Sequence, residues 1–251
     1  MSEATVTQTG QTTSGKREGT RVRIVRAAAG LLAAGGRDAV STRAVSAAAG
    51  VQAPTIYRQF GDMRGLLDAV ASYGFSTYLH DKTSRERAED PVEDLRRGWD
   101  LHVEFGLANP ALYTLMYGDP RPGASPTAAL QADEILHGLV QRVAEAGRLR
   151  VGVEQAAQMI HAAGRGVTLT LIGTDPEDRD PALSETTREA IFAAVTTEEA
   201  AETATGRACG SRAANHAVAL KAVLPEAGAG LTSGERAMLS EWLDRIIHRS
   251  G

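Results

Sequence analysis

Apolar residues recur every three or four positions along most of the chain, the spacing that places them on one face of an α-helix. Ile24, Ala28 and Leu31 begin the pattern, and the pair Gly35 and Gly36 interrupts it. The pattern predicts helices over residues 20–34, 42–49, 55–60, 62–79, 91–108, 112–117, 127–147, 154–172, 183–204, 213–224 and 232–249. No stretch alternates between apolar and polar residues as a β-strand does, so we expect an all-α fold.

Composition divides the chain into three parts. Residues 1–19 are rich in Thr, Gln, Ser and Gly and contain no aromatic residue, which is typical of a disordered arm. Residues 20–65 hold three short predicted helices, and residues 66–251 hold the rest. We therefore expect an arm, an N-terminal three-helix domain and a larger C-terminal helical domain.

The segment from Ser41 to Phe60 has the pattern of a helix-turn-helix. Ser41 or Thr42 can cap the first short helix, and Gly50 stands where a left-handed residue would end it. Pro54 suits the first turn of the second helix. The outward positions of that second helix are small or polar, as contact with base edges in the major groove requires: Gln52, Ala53, Thr55, Tyr57, Arg58 and Gln59.

Charge is distributed unevenly along the chain. Residues 1–60 contain eight Lys or Arg and three acidic residues, a net charge of +5, whereas residues 61–251 carry −9. A basic segment joined to an acidic remainder favours a polyanion as the partner of the N-terminal part alone. Arg21 and Arg23 are either minor-groove contacts that follow the arm or solvated helix residues, and the sequence leaves both readings open.

Residues 20–67 resemble the N-terminal domain of the TetR family of bacterial transcriptional regulators. The resemblance is carried by Thr42–Val51, Thr55–Phe60, Gly61–Asp62 and Leu66–Leu67, which follow one another in the order and spacing of that family. It implies a three-helix helix-turn-helix domain that binds double-stranded DNA, followed by a helical domain for ligand binding and dimerisation.

The resemblance also implies which side chains contact DNA. They are Thr42, Arg43, Gln52, Ala53, Pro54, Thr55, Tyr57, Arg58 and Arg64. Two positions depart from the family pattern. Met63 stands where a phosphate-binding Lys is usual, with Arg64 beside it, and Gln52 stands where a capping Ser or Thr is usual.

The function that the resemblance implies is that of a repressor. It would bind palindromic operator DNA as a homodimer and be released by a small-molecule effector. We expect the dimer to form through helices 154–172 and 183–204, with helix 232–249 as the competing interface. The residues that could line an effector pocket, or else simply fill the core, are Trp99, His102, Phe105, Tyr113, Met116, His137, His161 and Arg165.

Two alternatives remain open from the sequence. One is a helix-turn-helix protein that binds DNA without any effector, and the other is an all-α ligand-binding module with no DNA activity. Release of DNA by a ligand would exclude the first alternative. DNA binding at low salt would exclude the second.

Motifs typical of enzymes and metal sites are missing from the sequence. The six histidines show no metal-ligand spacing, and there is no glycine-rich phosphate loop or Gly-x-Ser-x-Gly turn. We therefore expect no catalytic activity, no cofactor and no metal. The single cysteine, Cys209, excludes a disulfide within the chain. No apolar stretch is long enough for a membrane span or a signal peptide, so we expect a cytoplasmic protein.

Overall fold

The fold was analysed in a computed structural model that describes residues 9–82, 88–119, 123, 125–197, 209–227 and 230–249. The described residues form eleven α-helices and a short 3-10 turn, Arg37–Ala39, which confirms the all-α prediction. The helices are α1 (Thr9–Gly35), α2 (Thr42–Ala49), α3 (Ala53–Phe60), α4 (Met63–Lys82), α5 (Pro91–Ala108), α6 (Pro110–Tyr117), α7 (Thr127–Glu145), α8 (Val153–Gly173), α9 (Leu183–Val195), α10 (Cys209–Ala227) and α11 (Ser233–Arg249). In these ranges no helix has both the length and the hydropathy needed to cross a bilayer.

The first helix begins earlier than its apolar pattern indicates. We predicted a start at Thr20, but α1 begins at Thr9 and so takes in residues that we assigned to a disordered arm. Residues 1–8 of that arm lie outside the described residues. The periodicity marks only the part of a helix that is buried, so a helical extension without apolar residues leaves no signal in the sequence.

Two later helices also differ from their predicted bounds. The helix predicted over 183–204 ends at Val195, and its last predicted residues, from 198 onward, lie outside the described part. The helix predicted to stop at Leu224 instead continues through Pro225 to Ala227. Proline removes one backbone donor from a helix, and in the last turn that loss is limited to a single bond.

The helices pack as two compact units, the first formed by residues 1–84 and 109–130 and the second by 85–108 and 131–251. In the first unit, α1 to α4 enclose a core that continues past the boundary predicted at residue 65. Leu66 and Val70 of α4 are fully buried in it, beside Ile24 and Val45. The first half of α4 therefore packs as part of the helix-turn-helix domain.

The second unit is built around α5, α8 and α9. The indole N–H of Trp99 donates to Ser184 Oγ at 3.0 Å, and its ring meets Phe192 edge-on with centroids 6.2 Å apart. Gly164 of α8 faces the Trp99 ring closely enough that a Cβ there would lie 3.6 Å from it. Ion pairs between α5 and α9 surround this core, including Arg96 with Glu189 at 3.1 Å.

Glycines 30 and 65 give a matched test of the packing in the first unit. Gly65 follows a tight connection in which a Cβ would lie 2.1 Å from the carbonyl oxygen of Phe60, whereas a Cβ on Gly30 would meet nothing within 4 Å. We expect Gly65→Ala to lower the free energy of unfolding by about 1 kcal/mol or more. Gly30→Ala, in an exposed helix interior, should raise it by up to about 1 kcal/mol. Urea unfolding measures both changes, and the same sign for the two variants would contradict the packing described.

Candidate nucleic-acid interface and buried histidine cluster

Two local features shape α2 and the turn that follows it. Ser41 Oγ accepts a hydrogen bond from the Ala44 amide at 3.2 Å, which caps α2 as predicted. Gly50 ends the helix with φ 61° and ψ 42°, a left-handed conformation that glycine adopts without strain. Val45 and Ala49 are the buried residues of this short helix, and they hold it against the rest of the first unit.

The second helix, α3, presents one face to the core and the other to solvent. Ile56 is its single buried residue, at 0% exposure. Gln52 occupies the N-cap position without a side-chain cap, and Pro54 lies in the first turn, where its fixed φ suits helix initiation. Gln52 therefore does not replace the usual capping Ser or Thr, and Pro54 is the residue that favours helix initiation here.

The predicted DNA-contacting residues lie on the outward side of this motif. Tyr57 is 46% exposed, and its hydroxyl lies 3.1 Å from the Thr42 hydroxyl, so the two helices present a joined pair of hydroxyl groups. Exposed or partly exposed alongside them are Arg43, Gln52, Ala53, Pro54, Thr55 and Arg58. The surface therefore carries cations, which suit contacts with phosphates, and polar side chains, which suit hydrogen bonds with base edges.

The start of α4 adds to this surface. Asp62 Oδ1 accepts a hydrogen bond from the Gly65 amide at 2.8 Å, so its carboxylate caps the helix. Met63, at the position of the usual phosphate-binding Lys, is partly exposed, and the neighbouring Arg64 is exposed. Arg64 is thus the exposed cation in the first turn of α4.

Arg21 and Arg23 are exposed, and each also contacts another helix of the first unit. The Arg21 guanidinium lies 4.4 Å from the centre of the Phe60 ring and donates to the Gln59 carbonyl at 2.8 Å. Arg23 donates to the Ala49 carbonyl at 3.0 Å. Each arginine therefore meets the C-terminal carbonyls of α3 or α2, where a positive charge is favourable. Their exposure agrees with the reading of solvated helix residues, and the contacts with α2 and α3 are an addition that the sequence did not indicate.

In the second unit, three of the predicted effector residues lie together. Burial, assisted by the positive charges of His161 and Arg165, lowers the pKa of His102 to about 4. Burial also lowers the pKa of His161, although its hydrogen bond to Asp133 opposes the shift. His102 is therefore neutral at pH 7. Asp133 was missed by the sequence analysis, because nothing in its spacing relates it to His161.

The remaining effector candidates are distributed elsewhere. Trp99 and Phe105 are buried in the second unit, where Trp99 is held by Ser184 and Phe192. His137 is half exposed, with Nε2 4.0 Å from Glu154. Tyr113 and Met116 are buried in the first unit, so the structure divides the predicted set between its two units. No group of three or more His, Cys, Asp or Glu side chains within the described ranges could hold a metal ion.

The depressed pKa of His102 makes stability depend on pH. The unfolded chain, with an imidazole pKa near 6.5, binds a proton that the folded chain rejects until about pH 4. The free energy of unfolding should therefore fall as pH drops through this window, by up to about 3 kcal/mol for this group. Urea unfolding between pH 7 and 4.5 measures the slope. His102→Gln should flatten it, while His216→Gln, at an exposed site, should not; an unchanged slope in His102→Gln would refute the assignment.

Comparison with known proteins agrees with this geometry. The family model described as "Bacterial regulatory proteins, tetR family" matches residues 24–70, which span the buried core of α1 and the helix-turn-helix. A comparison with curated proteins found no match.

Solved structures extend the similarity beyond the matched segment. RolR in complex with the ligand resorcinol has a TM-score of 0.58 and 20% identity, over 79% of this chain and 94% of that one. A TetR-family transcription regulator from Marinobacter aquaeolei VT8 has a TM-score of 0.52 and 20% identity, over 74% of this chain and all of that one. One from Haemophilus influenzae RD has a TM-score of 0.50 and 17% identity, over 72% of this chain and 99% of that one. Residues 24–70 thus match the helix-turn-helix model of the tetR family of bacterial regulatory proteins, and the chain shares the all-α fold of these solved structures.

Proposed function

We propose that this protein is a cytoplasmic repressor that binds palindromic operator DNA as a homodimer and releases it when a small-molecule effector binds. The observation that carries the proposal is the division of α3 into two faces. Ile56 anchors the helix in the core, and Tyr57 and Arg58 project from the side that α2 and α4 flank with exposed arginines. A helix that is anchored in the core on one side and exposes cationic and polar side chains on the other is suited to binding in the major groove.

Contacts to DNA divide into two classes under this proposal. Arg43, Arg64 and the hydroxyl pair of Thr42 and Tyr57 contact phosphates, which fixes the position of the domain on the duplex. Gln52 and Arg58 contact base edges, since a carboxamide pairs with adenine and a guanidinium with guanine. Arg21 and Arg23 do not take part, because their guanidinium groups hold α1 to α3 and α2.

The resemblance implies a dimer interface of C-terminal helices, and we propose that α8 and α9 form it. The exposed surface of α8 includes Ala162 and Gly166, and that of α9 includes Ala190 and Ala194. Small uncharged side chains at these positions allow two helices to approach closely. The competing interface is α11, where Met238 and Trp242 are each 52% exposed.

The proposed effector site is the cluster of His102, His161 and Arg165 in the second unit. Burial keeps the His102 imidazole neutral at pH 7, and Arg165 supplies a positive charge for an anionic or phenolic ligand. The complex of RolR with resorcinol supports a small polar effector in a protein of this fold. Effector binding would favour a dimer conformation whose recognition helices no longer match the half-site spacing.

Selection from random duplex DNA with the purified full-length protein tests the proposal. At near-physiological salt we expect enrichment of a palindrome whose half-sites lie about one helical turn apart, because a twofold dimer presents two recognition helices. Enrichment of a single half-site would contradict the dimer. The absence of binding at both physiological and low salt would support the alternative of a ligand-binding module without DNA activity.

Arg58→Ala separates base recognition from phosphate contact. If Arg58 pairs with a guanine, the variant should lose about 1–3 kcal/mol of binding free energy on the selected operator. It should lose little on an operator changed at that base pair. Fluorescence anisotropy with both duplexes measures the difference. Arg236→Ala, an exposed arginine of α11, serves as the matched control. An equal loss on both duplexes would make Arg58 a phosphate contact.

Two charge substitutions distinguish the dimer interfaces. Ala162→Arg places a charge on the exposed face of α8, and Trp242→Arg does the same on α11. We expect Ala162→Arg to sediment as a monomer and Trp242→Arg as a dimer, because an unpaired charge is costly in a closely packed interface. Analytical ultracentrifugation reads both masses. The opposite pair of results would assign the interface to α11.

A further inference from the structure

A groove of about 580 Å³ lies in the second unit, apart from every residue proposed for the effector. Its walls come from α7, the segment before α8, the first turn of α8, and helices α10 and α11. The volume is within the range of about 300–1,000 Å³ that small-molecule sites occupy.

One side of the groove is apolar. It is formed by Val151, Val218, Ala222, Pro225 and Ile247, which come from three separate segments of the chain. Val218 is buried, and Ala222 and Ile247 belong to the partly buried margin of the second unit's core. This wall suits a flat or extended hydrocarbon body.

The other side combines three kinds of hydrogen-bond donor. The first is the N-terminus of α8, where Gly152 provides no side-chain cap for the amides of Val153, Glu154 and Gln155. The second is Arg150, whose Nε donates to the Thr196 carbonyl at 2.6 Å and so fixes the guanidinium plane. Within the part of the chain that the structure describes, the two terminal nitrogens form no further hydrogen bond, so they can meet a ligand.

The third donor is the carboxamide of Asn215. This residue is 9% exposed and lines the groove, and its side chain forms no hydrogen bond with any residue that the structure describes. Because the residue is largely buried and borders the groove, a ligand or water in the groove would supply the hydrogen bonds that its carboxamide lacks. Asn215 is the observation that points to a ligand independently of the helix terminus.

The groove is lined by two cations, Arg150 and Lys221, and by two carboxylates, Glu154 and Asp244. Lys221 and Asp244 pair with each other at 2.6 Å and neutralise one another. The Glu154 side chain is 75% exposed and lies 4.0 Å from His137, on the solvent side. Arg150 and the uncapped end of α8, with its partial positive charge, therefore dominate the polar wall.

We propose that this groove is a second ligand site, which binds a small organic anion with an apolar body. The carboxylate would accept hydrogen bonds from Arg150, Asn215 and the first amides of α8. The hydrocarbon would lie against Val151, Val218 and Ile247. This assignment concerns the second unit alone and does not depend on DNA binding.

Calorimetric titration of the full-length protein with octanoate and with octanol tests the proposal. The two probes share a hydrocarbon body and differ in charge. We expect octanoate to bind at millimolar or lower concentrations, and octanol to bind about tenfold more weakly, because it lacks the charge that Arg150 and α8 recognise.

Variants locate the site. Arg150→Gln and Asn215→Leu should each weaken octanoate binding about tenfold, and Val218→Trp should abolish it by filling the groove. Arg236→Gln, an exposed arginine of α11 that does not line the groove, should bind as the wild type does. Circular dichroism confirms that each variant is folded, and Val218→Trp decides the location if Arg150→Gln does not fold.

Three results would overturn the assignment. They are no octanoate binding by the wild type, equal affinity for octanoate and octanol, or wild-type affinity in folded Arg150→Gln and Val218→Trp. Because none of these measurements involves DNA, a failure here leaves the proposed repressor function untouched. A failure of operator selection likewise leaves this site untouched.

Discussion

The burial of Ile56 is the contact on which the N-terminal domain depends. An eight-residue helix such as α3 is too short to be stable alone in water, so tertiary packing must hold it. Ile56 supplies that packing from one face, and the left-handed turn at Gly50 sets the angle at which α3 leaves α2. Since the inward face is fixed, Tyr57 and Arg58 necessarily project outward. The surface that we propose meets DNA is thus a consequence of the core behind it.

The two units use positive charge in different ways. In the first unit, Arg43, Arg58 and Arg64 are exposed on the outward surface of the helix-turn-helix. In the second unit, arginines hold helices together through carboxylates, as Arg96 does with Glu189 and Arg188 with Asp100. Internal pairing lets the second unit be acidic overall while it partly buries several cations. The arginines that can attract a polyanion are therefore different residues from those that stabilise the second unit.

The second unit contains polar groups in two different environments. His102 is buried deeply enough to remain neutral at pH 7. Its pKa is lowered because a charged imidazole would lose its hydration there. Asn215, by contrast, borders an open groove between α10, α11 and the start of α8. The first environment is closed by close packing at Gly164, whereas the second is accessible. A closed cluster can respond to a ligand only by rearranging, while a groove can admit one directly.

The sequence by itself determined the helix class and the helix-turn-helix, because periodicity, capping by Ser41 and the turn at Gly50 are local properties of the chain. It also placed Tyr57 and Arg58 outward, since helical spacing fixes their side relative to Ile56. Tertiary structure alone decided that α4 packs with the N-terminal unit and that Arg21 meets Phe60 and the end of α3. It alone decided the groove lined by Asn215. These features join residues distant in sequence, and no local pattern of apolarity or charge records which distant surfaces will meet.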